Sequence, residues 1–387
     1  MLLLRLRAGI RDAFDVDVPL AELFQASTLE SLAARLSPGV VNESNMIDWE
    51  AESDPPADFS SIKINALSTS APKAQITVLL TGSTGFLGQG ILNQLVNNSK
   101  VARIHCVAMR PKLNGQPRSL SIRSPKIVRH AGDLSAPFLG MSEQRSHTLF
   151  KEIDIIIHNG AEVSHMKTYR SLRSSNVDST KELVRLSLYR AVPIHYISTG
   201  GVAHLSGKDS QPEGSLFPAL PPLDGSDGYV ASKWCSERFL EKINHQFGLP
   251  VYIHRPSNIT GDNVPEMDIV NNTLKYSRAL QAVPDLSKSK GFFDFIHINT
   301  ISRNIAQAAV DEKIGTDVVY KHQSGETLVP MNGLKNFLAE EQNKSFRILK
   351  MAEWVEEAVK MGLNELVASY LLATKGEIFM PLLEKNV

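Results

Sequence analysis

Apolar residues fall into three regimes along this chain. In the first 37 residues, Leu2, Leu3, Leu4, Leu6, Ile10 and Phe14 populate one helical stripe. A second helix is expected to open at Thr28-Leu29-Glu30 and run through Leu36, with Ser27-Thr28 as its N-cap. From residue 38 to 75 the period dissolves into Ser, Pro, Asn, Asp and Ala, including Asp54-Pro55-Pro56, and a linker is expected. At Ile76 the character changes: Ile76-Thr77-Val78-Leu79-Leu80 is a short run of buried-strand type, then Gly-rich sequence, then the helical spacing Ile91, Leu92, Leu95, Val96. Further strands are expected at Ile104 to Ala108, Ile127 to His130, Ile153 to His158, Ile194 to Ser198 and Val251 to His254, with helical stretches between them. That alternation predicts an α/β fold with a parallel, doubly wound sheet over 76–258. Beyond Asn258 the alternation weakens and the last forty or so residues look helical around Trp354, Val355, Ala358 and Leu366, so 259–387 is expected to form a smaller, mainly helical substrate-binding lid.

Composition narrows the functions open to such a fold. The 387 residues carry 41 Lys+Arg against 41 Asp+Glu, which gives no basic footprint for nucleic acid or for an anionic membrane surface. Cys106 and Cys235 are the only cysteines, too few for a disulfide framework or a zinc site, and a reducing, cytosolic setting is expected. Met1-Leu2-Leu3-Leu4 is interrupted by Arg5 and Arg7, and neither a signal peptide nor a membrane span is expected.

The first chemical signal is Thr81-Gly82-Ser83-Thr84-Gly85-Phe86-Leu87-Gly88, a G-x-x-G-x-x-G between an expected strand and an expected helix. Gly82 permits the tight turn, Gly85 admits backbone N–H groups to a pyrophosphate, and Gly88 lets helix pack on strand. An ordinary glycine-rich turn is the plain alternative, but the strand-turn-helix context favours dinucleotide binding. The next strand ends in Met109-Arg110-Pro111-Lys112, where an acidic residue would suit the ribose diol of NAD and Arg110 suits the 2′-phosphate of NADP. NADPH is therefore the expected cofactor. Asp133 and Leu134 are candidates for adenine contact, and Asn159 and Gly160 follow a strand expected to run beside the cofactor.

Tyr229-Val230-Ala231-Ser232-Lys233 places Tyr229 and Lys233 on one helical face. A buried ammonium beside the phenol is expected to lower its pKa and make it a proton donor near neutral pH. Ile197-Ser198-Thr199-Gly200-Gly201 puts a hydroxyl at the carboxyl end of a strand, where such sheets bind ligands; Thr199 is the expected participant and Ser198 the second choice.

Gly82, Gly85, Gly88, Thr199, Tyr229 and Lys233 together resemble the cofactor loop and Thr-Tyr-Lys triad of an extended short-chain dehydrogenase/reductase with a Rossmann-type sheet. More specifically, His158-Asn159-Gly160-Ala161-Glu162-Val163-Ser164-His165, Ser174-Ser175-Asn176-Val177, Tyr229 to Glu237 and Arg255 to Asp262 resemble the terminal thioester reductase domain of fungal polyketide synthase-nonribosomal peptide synthetase hybrids, from about residue 74 onward. The N-terminal unit is similar to the latter part of a carrier domain, with Val18 to Phe24 and Ser27-Thr28-Leu29 matching its third and fourth helices. The serine that would hold phosphopantetheine belongs just ahead of Met1, so 1–37 is expected to be a truncated carrier remnant.

The resemblance implies NADPH-dependent release of an acyl or peptidyl thioester as an aldehyde, the thioester being held by a carrier on a separate megasynthase chain. Thr199 and Tyr229 would bind the carbonyl oxygen, and Lys233 would support Tyr229 and the nicotinamide ribose. Some domains of this family instead perform a redox-neutral Dieckmann cyclisation to a tetramic acid, which needs the same oxyanion site. A non-catalytic docking fragment is the third reading.

Overall fold

The computed structural model describes residues 46–64, 74–111, 118–312 and 315–386 and, in the N-terminal segment, residues 6, 9–10, 12–14, 23 and 28–36. The expected second helix is present as Leu29–Leu36. The stripe from Leu2 to Phe14, the Val18–Phe24 match and Lys112 lie wholly or largely outside the described residues.

Seven parallel strands form the central sheet: β1 (Ile76–Thr81), β2 (Val101–Met109), β3 (Ile127–Ala131), β4 (Ile155–His158), β5 (Ile194–Ile197), β6 (Val251–Pro256) and β7 (Val318–Gln323). Their spatial order is β3-β2-β1-β4-β5-β6-β7. The short apolar runs read as strands because helices cover both faces. One face packs Ile91, Leu92 and Leu95 of helix Phe86–Val96 with Ile301 and Ile305 of helix Ile298–Asp311. The other packs Phe150, Leu183, Val184, Phe239, Leu240 and Ile243 from three further helices. The sheet order reverses between β1 and β4, and the crevice at their carboxyl ends is where this architecture binds ligands.

The chain beyond residue 258 is not a separate helical lid throughout. β7 returns to the sheet and pairs in parallel with β6, and helix Ile298–Asp311 packs on the first helix of the sheet. The rest gathers around its own core of Phe293, Leu338, Trp354, Val355 and Leu371, with the Trp354 indole donating to Ala282 O at 2.9 Å. This part contains strand Lys290–His297, flanked by Asn258–Thr260 and Thr327–Pro330, besides its helices. Among the described residues no helix is long and apolar enough to cross a membrane, and no group of three or more His, Cys, Asp or Glu is placed to hold a metal.

Residues 46–64, which fall inside the expected linker, form a packed strap. Asp48 caps a short helical turn, Trp49–Glu52, accepting from the N–H groups of Glu50 and Ala51. Trp49 is buried edge-on against Tyr169 and Trp234, and its indole donates to Pro221 O at 2.9 Å. Phe59 is buried beside Phe239, Glu52 accepts from Arg173 and from the Tyr169 hydroxyl, and Lys242 pairs with Glu50 and Asp54. Two aromatic anchors ten residues apart give no period to read, so their sequence resembles linker although their side chains are core. Trp49→Ala is expected to cost about 3–5 kcal/mol, the range for emptying a large buried aromatic site, as measured by equilibrium denaturation.

Candidate active site

The glycine loop stands at the carboxyl end of β1, against the end of β4. Gly82 has φ +68°, and a Cβ there would lie 2.7 Å from Gly160 backbone atoms; a Cβ on Gly88 would lie 2.0 Å from Gly82 O. No larger residue fits at either position without backbone movement. Thr81 Oγ1 accepts from Gly160 N at 2.8 Å and contacts His158 Nδ1 at 2.8 Å, while the Asn159 amide donates to Gly82 O at 3.3 Å. Gly85 is the N-cap of helix Phe86–Val96 and supplies no side-chain cap, which leaves the first-turn N–H groups of Phe86, Leu87 and Gly88 directed at the crevice. Ser83 is buried with its hydroxyl unpartnered, and Thr84 O accepts from the Gln89 amide. Uncapped donors and a close-approach glycine turn fit a dinucleotide pyrophosphate.

Arg110 follows β2 and is paired with a second candidate, Asp133. Its guanidinium donates to both oxygens of Asp133, at 2.7 and 2.9 Å, and holds that carboxyl down at about 2. The pair remains open, with side-chain exposures of 47% and 38%. Leu134 packs toward Gly160; a Cβ on that glycine would meet Leu134 Cδ1 at 2.9 Å. The adenine-side candidates thus sit together at the rim of the glycine loop.

Tyr229 and Lys233 lie in the first turns of helix Gly228–Phe247, which Glu237 anchors to β6 through a fully buried pair with Arg255, at 2.7 and 3.1 Å. Lys233 Nζ donates to Ile197 O at 2.7 Å, two residues before Thr199, and lies 4.7 Å from the ring centre of Tyr196 and 6.0 Å from that of Tyr229. Burial pushes the Lys233 ammonium down to about 7. The expected acidification of Tyr229 is not found: burial pushes its phenol above the ordinary value of 10. The ammonium is committed to the end of β5 and is nearer Tyr196, so the phenol stays protonated, a donor rather than a base. Thr199 caps the turn Gly200–Ser206 and accepts from Gly201 N at 3.1 Å, leaving its hydroxyl proton to donate. Ser198 is buried with its hydroxyl unpartnered, so its side chain faces the interior.

Two residues missed in the sequence complete this wall. The ring of His165, in the loop after β4, stands edge-on to Tyr229 at 5.4 Å between centres and tilted against Tyr370 at 5.7 Å. Beside them Asp227 pairs with His204 Nε2 at 3.0 Å. Tyr370 belongs to the C-terminal helix Glu365–Thr374, and no spacing in the sequence connects it with residue 165.

Residues 80–305 match the male sterility protein family model, and residues 1–36 match the phosphopantetheine attachment site model. The chain is 51% identical to the PKS-NRPS hybrid synthetase psoA of Aspergillus fumigatus, over 100% of this chain and 10% of that protein. It is 40% identical to fusarin C synthetase of Gibberella moniliformis, over 94% of this chain and 9% of that one. The chain therefore spans about a tenth of the length of these curated relatives. Among solved structures, it is similar to the terminal R domain from the myxalamid PKS-NRPS biosynthetic pathway, at 28% identity and TM-score 0.63, covering 84% of each chain. It shares its fold with UDP-glucuronic acid 4-epimerase from Bacillus cereus, at 18% identity and TM-score 0.53, over 71% of this chain and 87% of that one.

Proposed function

The chain belongs to the male sterility protein family, as a terminal reductase domain of the kind found in fungal PKS-NRPS hybrids and preceded by a phosphopantetheine carrier segment, and from that premise we propose that it releases a carrier-bound acyl or peptidyl thioester as an aldehyde using NADPH. The observation that carries this reading is the convergence of the uncapped glycine loop and the Thr199, Tyr229 and Lys233 group at one end of one sheet. The match over 1–36 favours a carrier joined to the reductase over one on a separate chain.

In this reading the N–H groups of Phe86, Leu87 and Gly88 hold the pyrophosphate, with Gly82, Ser83, Thr84 and Gly85 shaping the turn. Asp133 and Leu134 border the adenine, and Asn159 and Gly160 line the floor. Lys233 serves the ribose. The cofactor, when bound, supplies hydride to the thioester carbon. Thr199 and Tyr229 donate to the carbonyl oxygen as negative charge develops there, and Tyr229 gives that oxygen its proton. The pantetheine thiol then departs and leaves the aldehyde.

Arg110 selects NADPH by exchanging Asp133 for the 2′-phosphate. An exposed ion pair contributes only about 0–1 kcal/mol, whereas a phosphate dianion offers the same guanidinium more charge in the same forked geometry. Arg110→Ala is expected to narrow the NADPH over NADH preference by about 1–3 kcal/mol, read from the two dissociation constants. Equal wild-type affinities for the two cofactors would count against this assignment.

The reading is tested by a single turnover of a synthetic β-ketoacyl-aminoacyl thioester, with reduced-nicotinamide absorbance followed and products identified by mass. Loss of absorbance with aldehyde formation is expected. Tetramic acid accumulating at constant absorbance would replace reduction with Dieckmann release.

A further inference from the structure

Either mode of thioester release ends with a proton delivered to sulfur, and the triad, aimed at the carbonyl oxygen, does not deliver it there. In reductive release the hemithioacetal collapses: the C–S bond breaks, the C=O bond forms, the hydroxyl proton leaves oxygen, and the sulfur must gain one. In cyclising release the proton leaves carbon, a C–C bond forms, and the same C–S bond breaks with the same demand at sulfur. The residue that serves this transfer must take a proton near neutral pH and give it back.

The groups already placed at the site are unsuited to it. Tyr229 is committed to the carbonyl oxygen, Lys233 Nζ is bound to Ile197 O, and Thr199 Oγ1 already accepts from Gly201 N. Of the nearby histidines, His158 is held between Thr81 and Thr180 inside the sheet, and His204 is paired with Asp227. His165 differs from both. It follows β4 at the ligand-binding end of the sheet, its ring is fixed between Tyr229 and Tyr370, and neither ring nitrogen makes a hydrogen bond to the described residues. The ring therefore bridges the nucleotide-binding part and the C-terminal part, between which a substrate carbonyl at Tyr229 would lie.

We propose that His165 is the proton-transfer residue of release, accepting the substrate's proton and returning it to the departing pantetheine sulfur. The proposal rests on the thioester-release reading above but not on which mode of release operates. The environment keeps the imidazole available as a base. Burial lowers its pKa below the ordinary 6.5, and His204 acts in the same direction. The carboxylates of Asp227 and Asp268 oppose that shift without overcoming it. The uncharged phenols of Tyr229 and Tyr370 complete its surroundings.

The test uses the full chain with a pantetheine thioester, comparing wild type with His165→Gln and His165→Ala. NADPH binding should be retained in both variants, since the His165 ring packs on Tyr229 and Tyr370 and the pyrophosphate is assigned to the glycine loop. Single-turnover release should fall by about a hundredfold or more. In the wild type the rate should rise with pH through an ionisation below 6.5 and then level off. That limb should vanish in His165→Gln, and added imidazole should restore part of the rate to His165→Ala. A glutamine variant as fast as wild type, the same acid limb persisting in it, or no rescue by imidazole would overturn the proposal. Loss of NADPH binding in both variants would make His165 a structural residue and overturn it equally. A wild type that binds NADPH yet releases neither aldehyde nor cyclised product would instead remove the release reading itself, and this proposal with it.

Discussion

Tyr229→Phe is expected to lower turnover by about a hundredfold or more, the scale for removing a positioned proton donor, while NADPH affinity stays nearly unchanged. The substitution deletes one hydroxyl from a side chain that is only 9% exposed and leaves the ring, its edge contact with His165 and its place in the first turn of helix Gly228–Phe247. Because burial raises the phenol's pKa, the hydroxyl holds its proton across the working pH range and can donate throughout. The loss should therefore be independent of pH, whereas the loss in His165→Gln should shrink as the pH falls through the acid limb below 6.5. Parallel measurement of NADPH binding and single-turnover rate checks both parts. An unchanged rate would show that another group serves the carbonyl oxygen.

Gly88→Ala is expected to weaken NADPH binding by about ten- to a hundredfold, the equivalent of roughly 1–3 kcal/mol of overpacking. The added methyl would lie 2.0 Å from Gly82 O and 2.9 Å from the Asn159 amide nitrogen. Neither can yield cheaply. The carbonyl belongs to the turn whose shape presents the uncapped N–H groups, and Asn159 ties that turn to β4. Relief must come from moving helix Phe86–Val96 away from β1, which withdraws the donors from the pyrophosphate. A titration of the variant with NADPH, set beside its melting temperature, separates lost binding from lost folding. Retention of wild-type affinity would show that the loop tolerates a wider helix-to-strand gap.

The parts of this molecule most legible in the sequence were those with a local cause. β1, β2, β4, β5 and β6 coincide with short apolar runs because they lie inside the sheet with their apolar residues buried, the partly exposed edge strand β3 shows itself through Ile127-Val128, and the Tyr229 and Lys233 pair shows itself by spacing on one helix. β7 was not legible: Val318-Val319-Tyr320 passes at once into the polar Lys321-His322-Gln323, which leaves an apolar run of three, too short to read as a strand. The strap was hidden because Trp49 and Phe59 are anchors without a period. Side-chain direction was the other gap. Spacing placed Lys233 beside Tyr229 but did not show that its ammonium points to Ile197 O, so the expected lowering of the phenol's pKa gave way to a rise. Arg110 and Asp133 were both singled out, yet their mutual pairing across 23 positions became visible only when β2 and β3 were laid side by side. His165 and Tyr370 meet solely through the tertiary fold.

The strap also sets the length of leash available to an attached carrier. With residues 46–64 fastened against the reductase body, only 37–45 separate helix Leu29–Leu36 from a fixed point, instead of the whole of 38–75. Fully stretched, that interval reaches about 35 Å. Under the release reading, a span of that length would hold a tethered cargo at an effective concentration on the order of millimolar, so release would need little intrinsic affinity between carrier and reductase. Free carriers at micromolar levels would then compete poorly for the same crevice. Lengthening the chain ahead of Met46 should erode that advantage gradually, whereas unfastening Trp49 should erode it in one step.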